Sequence, residues 1–190
     1  YPTGNVGQDS DESNTDTLFK KNYSLQEFHS CLTDLEGVEY YFSNIEKYFQ
    51  NIVPLLSNDK INVFSNEGVV SVLFAHKDRA EKAKRIKQFF PDAKIIIIIR
   101  SQLEIIKSQY RDHPFDPRNL YSNQKNVTAD EWVDRDFKNF DVSFLNSIDY
   151  YKVAKYYSDL FGHDNVGIFL FEEMVHDLGL FSKKISNFLN

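Results

Sequence analysis

Five consecutive isoleucines, Ile95–Ile99, constrain the fold more than any other stretch of this chain. They follow the turn-forming pair Pro91-Asp92 and end at Arg100. A short, wholly apolar run bounded in this way is typical of a strand buried on both faces of a parallel sheet. Such a strand requires helices on both faces, so the run predicts a three-layer α/β fold with a mostly parallel sheet flanked by helices.

The residues that follow the isoleucines predict a helix. Leu103, Ile106 and Tyr110 recur at helical spacing, and Ser101 is a favourable N-cap residue. In open parallel sheets, ligands bind beyond the carboxyl ends of the strands. Helix N-termini at that edge bind phosphates through free N–H groups and the helix dipole. The strand-to-helix turn is therefore the predicted ligand edge.

Arg100 and Ser108 are the candidate phosphate ligands at this edge. Ser108 follows Arg100 by about two helical turns, since about 3.6 residues make a turn. An arginine and a hydroxyl that converge on one point suit a doubly charged phosphate, because the guanidinium binds two oxygens at once. The alternative is that Arg100 only ends a strand at the surface.

A second candidate lies at the junction after Ile61–Ser65, a short apolar run that predicts another strand. Helical spacing begins again at Val69, so Glu67 is expected at the same sheet edge as Arg100. A carboxylate within hydrogen-bond reach of an acceptor hydroxyl serves as a general base. The alternative is that Glu67 only stabilises the first turn of the following helix through the macrodipole.

Hydrophobic periodicity and capping signals predict the remaining elements. They comprise two helices within Leu18–Leu56 separated near Gly37, a helix over Ala75–Phe90, a helix start at the capping box Thr128–Glu131, a long helix over Leu145–Phe161 closed by Gly162, a strand over Gly167–Phe171 and a helix over Val175–Leu189. The stretch between His113 and Asn126 contains two prolines and several turn formers, so it predicts an irregular loop.

Length and composition fit one globular domain. The chain has 190 residues, of which 42% are hydrophobic, and we expect a single domain over residues 18–190. Residues 1–17 are rich in polar side chains and include four acids, so they predict a flexible acidic segment.

Charge and cysteine content exclude several classes of partner. A net charge of −6 and a pI near 5.4 argue against a nucleic-acid partner, whose phosphates require a basic face. The run Ile95–Ile99 is far shorter than the ~20 residues that cross a bilayer, so no membrane partner is expected. The single cysteine, Cys31, leaves no internal disulfide and no cysteine metal cluster. We therefore expect a cytoplasmic protein.

A strand followed by arginine, by serine eight residues later and by tyrosine two further on resembles a known segment. It is similar to the 3′-phosphate-binding segment of sulfotransferases that use 3′-phosphoadenosine 5′-phosphosulfate (PAPS), with Arg100, Ser108 and Tyr110 at the matching positions. Ser101-Gln102 stands where the family usually has Asn-Pro, a variation that resembles some bacterial branches. Ser65-Asn66-Glu67 resembles the Ser-Ser-Glu turn of a bacterial branch, and the resemblance covers roughly residues 61–190.

This resemblance implies a P-loop-NTPase-like fold and the transfer of a sulfuryl group from PAPS to a hydroxyl or amine. Arg100 and Ser108 would hold the 3′-phosphate and Glu67 would be the catalytic base, with no metal required. The nucleotide donor and a small-molecule or carbohydrate acceptor would be the partners, and the loop between His113 and Asn126 would cover the acceptor.

The family's Lys-(Ser/Thr)-Gly-Thr-Thr loop, which binds the 5′-phosphosulfate, is not found in this sequence. The resemblance therefore implies either an inactive fragment of a longer enzyme or a chain that has lost catalytic parts. Two alternatives remain open. One is a nucleotide-dependent kinase, which the absence of Gly-x-x-x-x-Gly-Lys-(Ser/Thr) disfavours. The other is a domain that binds nucleotide or protein without turnover.

Overall fold

The computed structural model describes residues 12–35, 37–65, 79–112 and 128–190. This part of the chain is mostly helical and contains a small two-stranded parallel sheet, an arrangement compatible with the predicted α/β class. The chain divides into two compact units, Tyr1–Asn66 and Glu67–Asn190. The single domain over residues 18–190 stays a prediction. No helix in the described ranges has the length and apolar character needed to cross a membrane.

The first unit consists of helices, namely α1 (Glu12–Thr33), α2 (Gly37–Tyr41) and α3 (Ile45–Ile52), with a 3-10 turn at Val53–Leu55. Its core lies between α1 and α3, where Phe28 and Leu32 are almost fully buried and the Phe28 ring lies 5.5 Å from that of Phe49. Residues 12–17, predicted to be flexible, form the first turns of α1. The predicted second helix is divided between α2 and α3, because the Ser43 hydroxyl and N–H both bond to the Tyr40 carbonyl and form a turn.

The strand predicted at Ile61–Ser65 was wrong. These residues form no strand, and the side chains of Ile61 and Val63 are 63% and 80% exposed. The Asn62 side chain accepts a bond from the Ser57 N–H and donates one to the Ser57 carbonyl, both at 2.9 Å. An Asn side chain that satisfies the backbone locally favours a turn over a sheet ladder, and this outweighs the weak strand preference of a five-residue run.

The second unit holds the sheet and the helices around it. Its elements are α4 (Arg79–Phe89), β1 (Ile95–Ile99), α5 (Gln102–Asp112), α6 (Ala129–Lys138), α7 (Phe144–Ser147), α8 (Tyr150–Phe161), β2 (Val166–Leu170), α9 (Phe171–His176) and α10 (Leu178–Leu189), with 3-10 turns at Phe140–Val142 and His163–Asn165.

Two of the predicted helix-end signals are confirmed in this unit. Glu131 donates its N–H to the Thr128 hydroxyl, and the Glu131 carboxylate accepts the Thr128 N–H, which completes the capping box of α6. Gly162 ends α8 with a φ of 94°, a backbone conformation that favours glycine.

Strands β1 and β2 pair in parallel, with Ile95 opposite Val166 and Ile99 opposite Leu170. Ile95 and Ile97 pack on a core between α4 and α8 that includes Ala83, Ile86, Val153, Tyr157 and Phe161. Successive strand residues face opposite sides of a sheet. Ile168 is paired with Ile97, and the next residue, Phe169, therefore faces the other side of the sheet. There its ring packs against Phe181 and Phe188 of α10.

The prediction that Ile95–Ile99 is buried on both faces was wrong. Ile96 and Ile98 are 37% and 48% exposed, and on β2 Ile168 and Leu170 are 49% and 45% exposed. The cause is the position of the helices: α4 and α8 pack on one face against Ile95 and Ile97 of β1 and Val166 of β2, whereas α10 packs on the opposite face against Phe169 of β2. Each face of this two-stranded sheet is therefore half covered.

The long helix predicted over Leu145–Phe161 is divided into α7 and α8. The break lies at Ile148 and Asp149, where the Asp149 N–H bonds to the Asn146 carbonyl and α8 restarts at Tyr150. The predicted closing helix is likewise divided into α9 and α10. Asp177 makes this break, because its side chain accepts the Leu180 N–H at 2.9 Å and caps α10.

Candidate functional site

A cleft of about 390 Å³ lies at the carboxyl edge of β1 and β2. Its walls include Arg100, Ser101, Gln102, Asp149, Tyr150 and Glu172. This is the edge at which ligands bind in open parallel sheets. Arg100 therefore lies where the sequence predicts it, at the end of the isoleucine strand and in the wall of a cleft.

The register of the two strands determines which residues meet at this edge. Ile99 is paired with Leu170, so the residues that directly follow the two strands meet at this edge: Arg100 lies near Phe171, and Ser101 near Glu172. The Arg100 guanidinium carbon lies 5.4 Å from the centre of the Phe171 ring, within cation–π range. This contact orients the guanidinium and uses none of its N–H donors.

A carboxylate from the first turn of α9, that of Glu172, lies at the N-terminus of α5. Ser101 occupies the position before α5, and its carbonyl accepts the Ile105 N–H. The Ser101 N–H donates to Glu172 Oε1 at 2.8 Å. This hydrogen bond, a second from the N–H of Glu172 itself and the charge of Arg100 lower the pKa of the Glu172 carboxyl. The backbone donor expected to meet a ligand's phosphate is thus bonded to Glu172.

The opposite wall comes from the turn between α7 and α8, which the sequence analysis missed. Gln102 Nε2 donates to the Ile148 carbonyl at 2.9 Å and ties the start of α5 to this turn. Asp149 and Tyr150 line the cleft from the first residues of α8, and Asp149 lies 3.2 Å from Lys152 Nζ. The sequence feature that could have predicted this turn is Asp149, because aspartate is a favoured N-cap residue type and lies within the helix predicted over Leu145–Phe161.

Ser108 lies further along α5, about 10 Å beyond Ser101 if each residue rises about 1.5 Å. It is half-buried and is not among the described residues that line the cleft. Nearby, Ile105 and Ile106 pack against the core around Trp132, and the Tyr110 ring lies 6.1 Å from the Trp132 ring. The structure therefore brings Arg100 and Ser101 together at the cleft, and the role of Ser108 stays a prediction.

Glu67, the predicted base, lies outside the described residues, and so does the loop predicted between His113 and Asn126. Their placement at the sheet edge stays a prediction.

The residues that line the cleft include one arginine, two acids and two tyrosines. Among the described residues Arg100 makes no hydrogen bond or ion pair, so its five N–H donors are available to an anion. No group of three or more His, Cys, Asp or Glu side chains within the described ranges is arranged to hold a metal ion. The arrangement suits recognition of a small anionic group by Arg100.

Comparison of the chain with protein-family models, with curated proteins and with solved structures finds no significant match.

Proposed function

We propose that this chain binds an adenosine nucleotide carrying a 3′-phosphate, as the donor-binding part of a PAPS-dependent sulfotransferase. The observation that carries the proposal is Arg100, which ends β1, lines the cleft and makes no hydrogen bond or ion pair in the described part of the chain. A guanidinium with all its donors available at the carboxyl edge of a parallel sheet suits a phosphate.

The proposed reaction transfers a sulfuryl group in line. The bond between sulfur and the 5′-phosphate oxygen of PAPS breaks as the acceptor oxygen or nitrogen bonds to sulfur, and adenosine 3′,5′-bisphosphate leaves. Glu67 is the proposed base that takes the acceptor proton. Arg100 and Ser108 hold the 3′-phosphate and do not touch the reacting atoms, so they contribute through positioning. A three-layer, P-loop-NTPase-like fold belongs to this proposal.

A second candidate is a domain of the same fold that binds nucleotide or protein without turnover. The sequence favours it, because the Lys-(Ser/Thr)-Gly-Thr-Thr loop that binds the 5′-phosphosulfate in the family is not found in these 190 residues. Both candidates predict binding at the cleft, so binding is the property to measure first.

The experiment is a calorimetric titration of the chain with three nucleotides. Adenosine 3′,5′-bisphosphate is the expected product, adenosine 2′,5′-bisphosphate carries the same charge at a neighbouring position, and adenosine 5′-monophosphate lacks the second phosphate. We expect the 3′,5′-bisphosphate to bind roughly tenfold or more tightly than the monophosphate, since one charge-assisted bond is worth about 1.5–3 kcal/mol. We expect the 2′,5′-isomer to bind like the monophosphate. Equal affinities for the two bisphosphates would show that the cleft responds only to charge and would contradict the proposal.

A further inference from the structure

Three large apolar side chains at α2 are exposed to solvent. Val38, Tyr41 and Phe42 are between 66% and 80% exposed, and no residue of α2 is buried. The Phe42 N–H donates to the Val38 carbonyl at 3.1 Å, so the helical turn continues to Phe42. Residues three and four positions apart lie on one face of a helix, so these three side chains share a face, which we call the α2 patch.

The core of the first unit does not contain the α2 patch. Its buried apolar residues come from α1 and α3 and include Phe28, Leu32 and Ile45, whereas a helix of a soluble domain normally turns its apolar face to the core. The Tyr41 and Phe42 rings lie edge to face, with their centres 5.0 Å apart. This is a favourable arrangement of two aromatic rings, so the patch is preorganised before a partner binds.

The size of the α2 patch fits a peptide segment. A Phe or Tyr side chain has about 150–250 Å² of surface, so at these exposures the patch offers roughly 300–500 Å². Apolar patches of about 300–600 Å² are the largest on typical monomers and are often functional. A standard interface between folded proteins buries about 800 Å² on each partner, so the patch is too small to hold a second copy of the chain by itself.

The negative charge of the chain is concentrated in the unit that carries the patch. Residues 1–66 have ten acids and four Lys or Arg, whereas residues 67–190 have eighteen of each. Residues 22–46 include five acids and no Lys or Arg, and Asp34, Glu39 and Glu46 are exposed. These charges repel the same surface of a second copy and an anionic lipid surface, and they attract a cationic partner.

We propose that the α2 patch binds a basic amphipathic segment of another protein. The apolar side chains of that segment cover Val38, Tyr41 and Phe42, and its Lys and Arg side chains face the acids that flank the patch along the chain. Amphipathic helices commonly bind through apolar anchors in this way. The two aromatic rings supply most of the affinity, and the acids supply specificity and a faster association. The cleft takes no part in this contact, so the inference does not rest on the proposed function.

The test is fluorescence anisotropy of a labelled peptide titrated with the 190-residue chain. The peptide has about fourteen residues of Leu and Lys in the pattern of an amphipathic helix, and a second peptide carries Glu at every Lys position. Wild type is compared with Tyr41→Ser and Phe42→Ser. Phe137→Ser is the matched control, because Phe137 of α6 is also exposed, at 71%. All three side chains are exposed, so thermal unfolding should be unchanged.

We expect wild type to bind the Leu/Lys peptide and not the Leu/Glu peptide. Tyr41→Ser and Phe42→Ser should each weaken binding of the Leu/Lys peptide about fivefold to tenfold, and Phe137→Ser should bind as wild type does. Glu39→Gln should weaken it about twofold, a small factor because exposed charges are screened. Asp134→Asn, the loss of an exposed acid on α6, should have no effect.

Several results would overturn the inference. They are no binding of the Leu/Lys peptide by wild type, equal binding of the two peptides, unchanged binding in Tyr41→Ser and Phe42→Ser, or an equal loss in Phe137→Ser. Two further measurements test the other occupants of the patch. Self-association in sedimentation experiments that Phe42→Ser abolishes would assign the patch to a second copy. Binding to vesicles that contain phosphatidylserine, lost in Phe42→Ser, would assign it to a membrane, and either result contradicts the proposed peptide partner.

Discussion

Polar groups are held differently at the cleft and in the packed interior of the same unit. At the cleft, the Ser101 N–H and the Glu172 carboxylate bond to each other and remain in contact with solvent. In the interior, the Tyr157 hydroxyl lies between α4 and α8 with no hydrogen-bond partner in the described part of the chain. Burying a polar group without a partner costs free energy, whereas an exposed one stays hydrated. Substitutions in the interior should therefore change stability, and substitutions at the cleft should change binding.

The largest expected effect lies in the interior, at Trp132. Its side chain is 8% exposed and its ring lies 6.1 Å from that of Tyr110 and 6.2 Å from that of Phe144. Trp132→Ala should lower the free energy of unfolding by about 3–5 kcal/mol, because it leaves a large cavity between α5, α6 and α7. Urea denaturation measures the change.

Phe137→Ala on the same helix is the matched control. The Phe137 side chain is 71% exposed, so its removal should cost under about 1 kcal/mol. Equal losses at the two positions would show that the packing around Trp132 does not stabilise the unit.

Two adjacent tyrosines of α8 test how a hydroxyl with or without a hydrogen-bond partner changes the free energy of unfolding. Tyr157 is 3% exposed, its hydroxyl lacks a partner among the described residues, and burial raises its pKa well above the usual range. Tyr157→Phe should raise the free energy of unfolding by about 1 kcal/mol, because it removes an unsatisfied buried group. Tyr156 donates to the Ala80 carbonyl at 3.4 Å, so Tyr156→Phe should lower it by about 0.5–1 kcal/mol. If Tyr157→Phe instead lowers the free energy of unfolding as Tyr156→Phe does, the hydroxyl of Tyr157 is satisfied in solution.

Asp136 is expected to make the free energy of unfolding depend on pH. Its side chain is 6% exposed, and burial raises its pKa despite a hydrogen bond from the Phe144 N–H and the charge of Arg135. A carboxyl with a raised pKa holds its proton in the folded state at a pH where the unfolded chain has released it. Stability from this group is complete below the unfolded pKa of about 3.9 and falls as the pH rises from there through the raised folded pKa.

Asp136→Asn should remove this dependence. The difference in the free energy of unfolding between Asp136→Asn and wild type should shift in favour of the variant as the pH rises above about 4. Denaturation at a series of pH values measures it, and Asp134→Asn, on the exposed side of α6, controls for the loss of a charge. A difference that is independent of pH would show that Asp136 is not desolvated.

Local signals in the sequence predicted much of this unit. Ile95–Ile99 is a strand with the predicted bounds, Thr128 and Glu131 form the predicted capping box, and Gly162 ends α8 as predicted. Each of these features depends on residues within a few positions of one another, so periodicity and capping chemistry are sufficient to find them.

The features that the sequence could not give depend on distant residues. The bond between Ser101 and Glu172 joins positions 71 residues apart, and it follows from the pairing register of β1 and β2. The half-covered faces of the sheet likewise depend on where α10 packs. At Ile61–Ser65 the apolar pattern was present, but the local bonds between Ser57 and Asn62 determined the conformation.

The predictions at the cleft compare Arg100 and Ser108 with Lys107, a cation of α5 that is not among the described residues lining the cleft. Lys107 is 61% exposed and pairs with Glu104, so Lys107→Ala should leave nucleotide affinity unchanged apart from a small screened effect. Ser108→Ala should weaken binding of adenosine 3′,5′-bisphosphate less than Arg100→Ala does, because a neutral hydroxyl donates a weaker bond than a guanidinium.

The most direct measurement is a thermodynamic cycle between Arg100 and the 3′-phosphate. Dissociation constants of adenosine 3′,5′-bisphosphate and adenosine 5′-monophosphate are measured for wild type and for Arg100→Ala. The bisphosphate should bind roughly tenfold to a hundredfold more weakly to the variant, equivalent to about 1.5–3 kcal/mol, while the monophosphate is nearly unaffected and the free energy of unfolding is unchanged. If both nucleotides weaken by the same factor, or if neither does, Arg100 does not bind the 3′-phosphate and the proposed function is wrong.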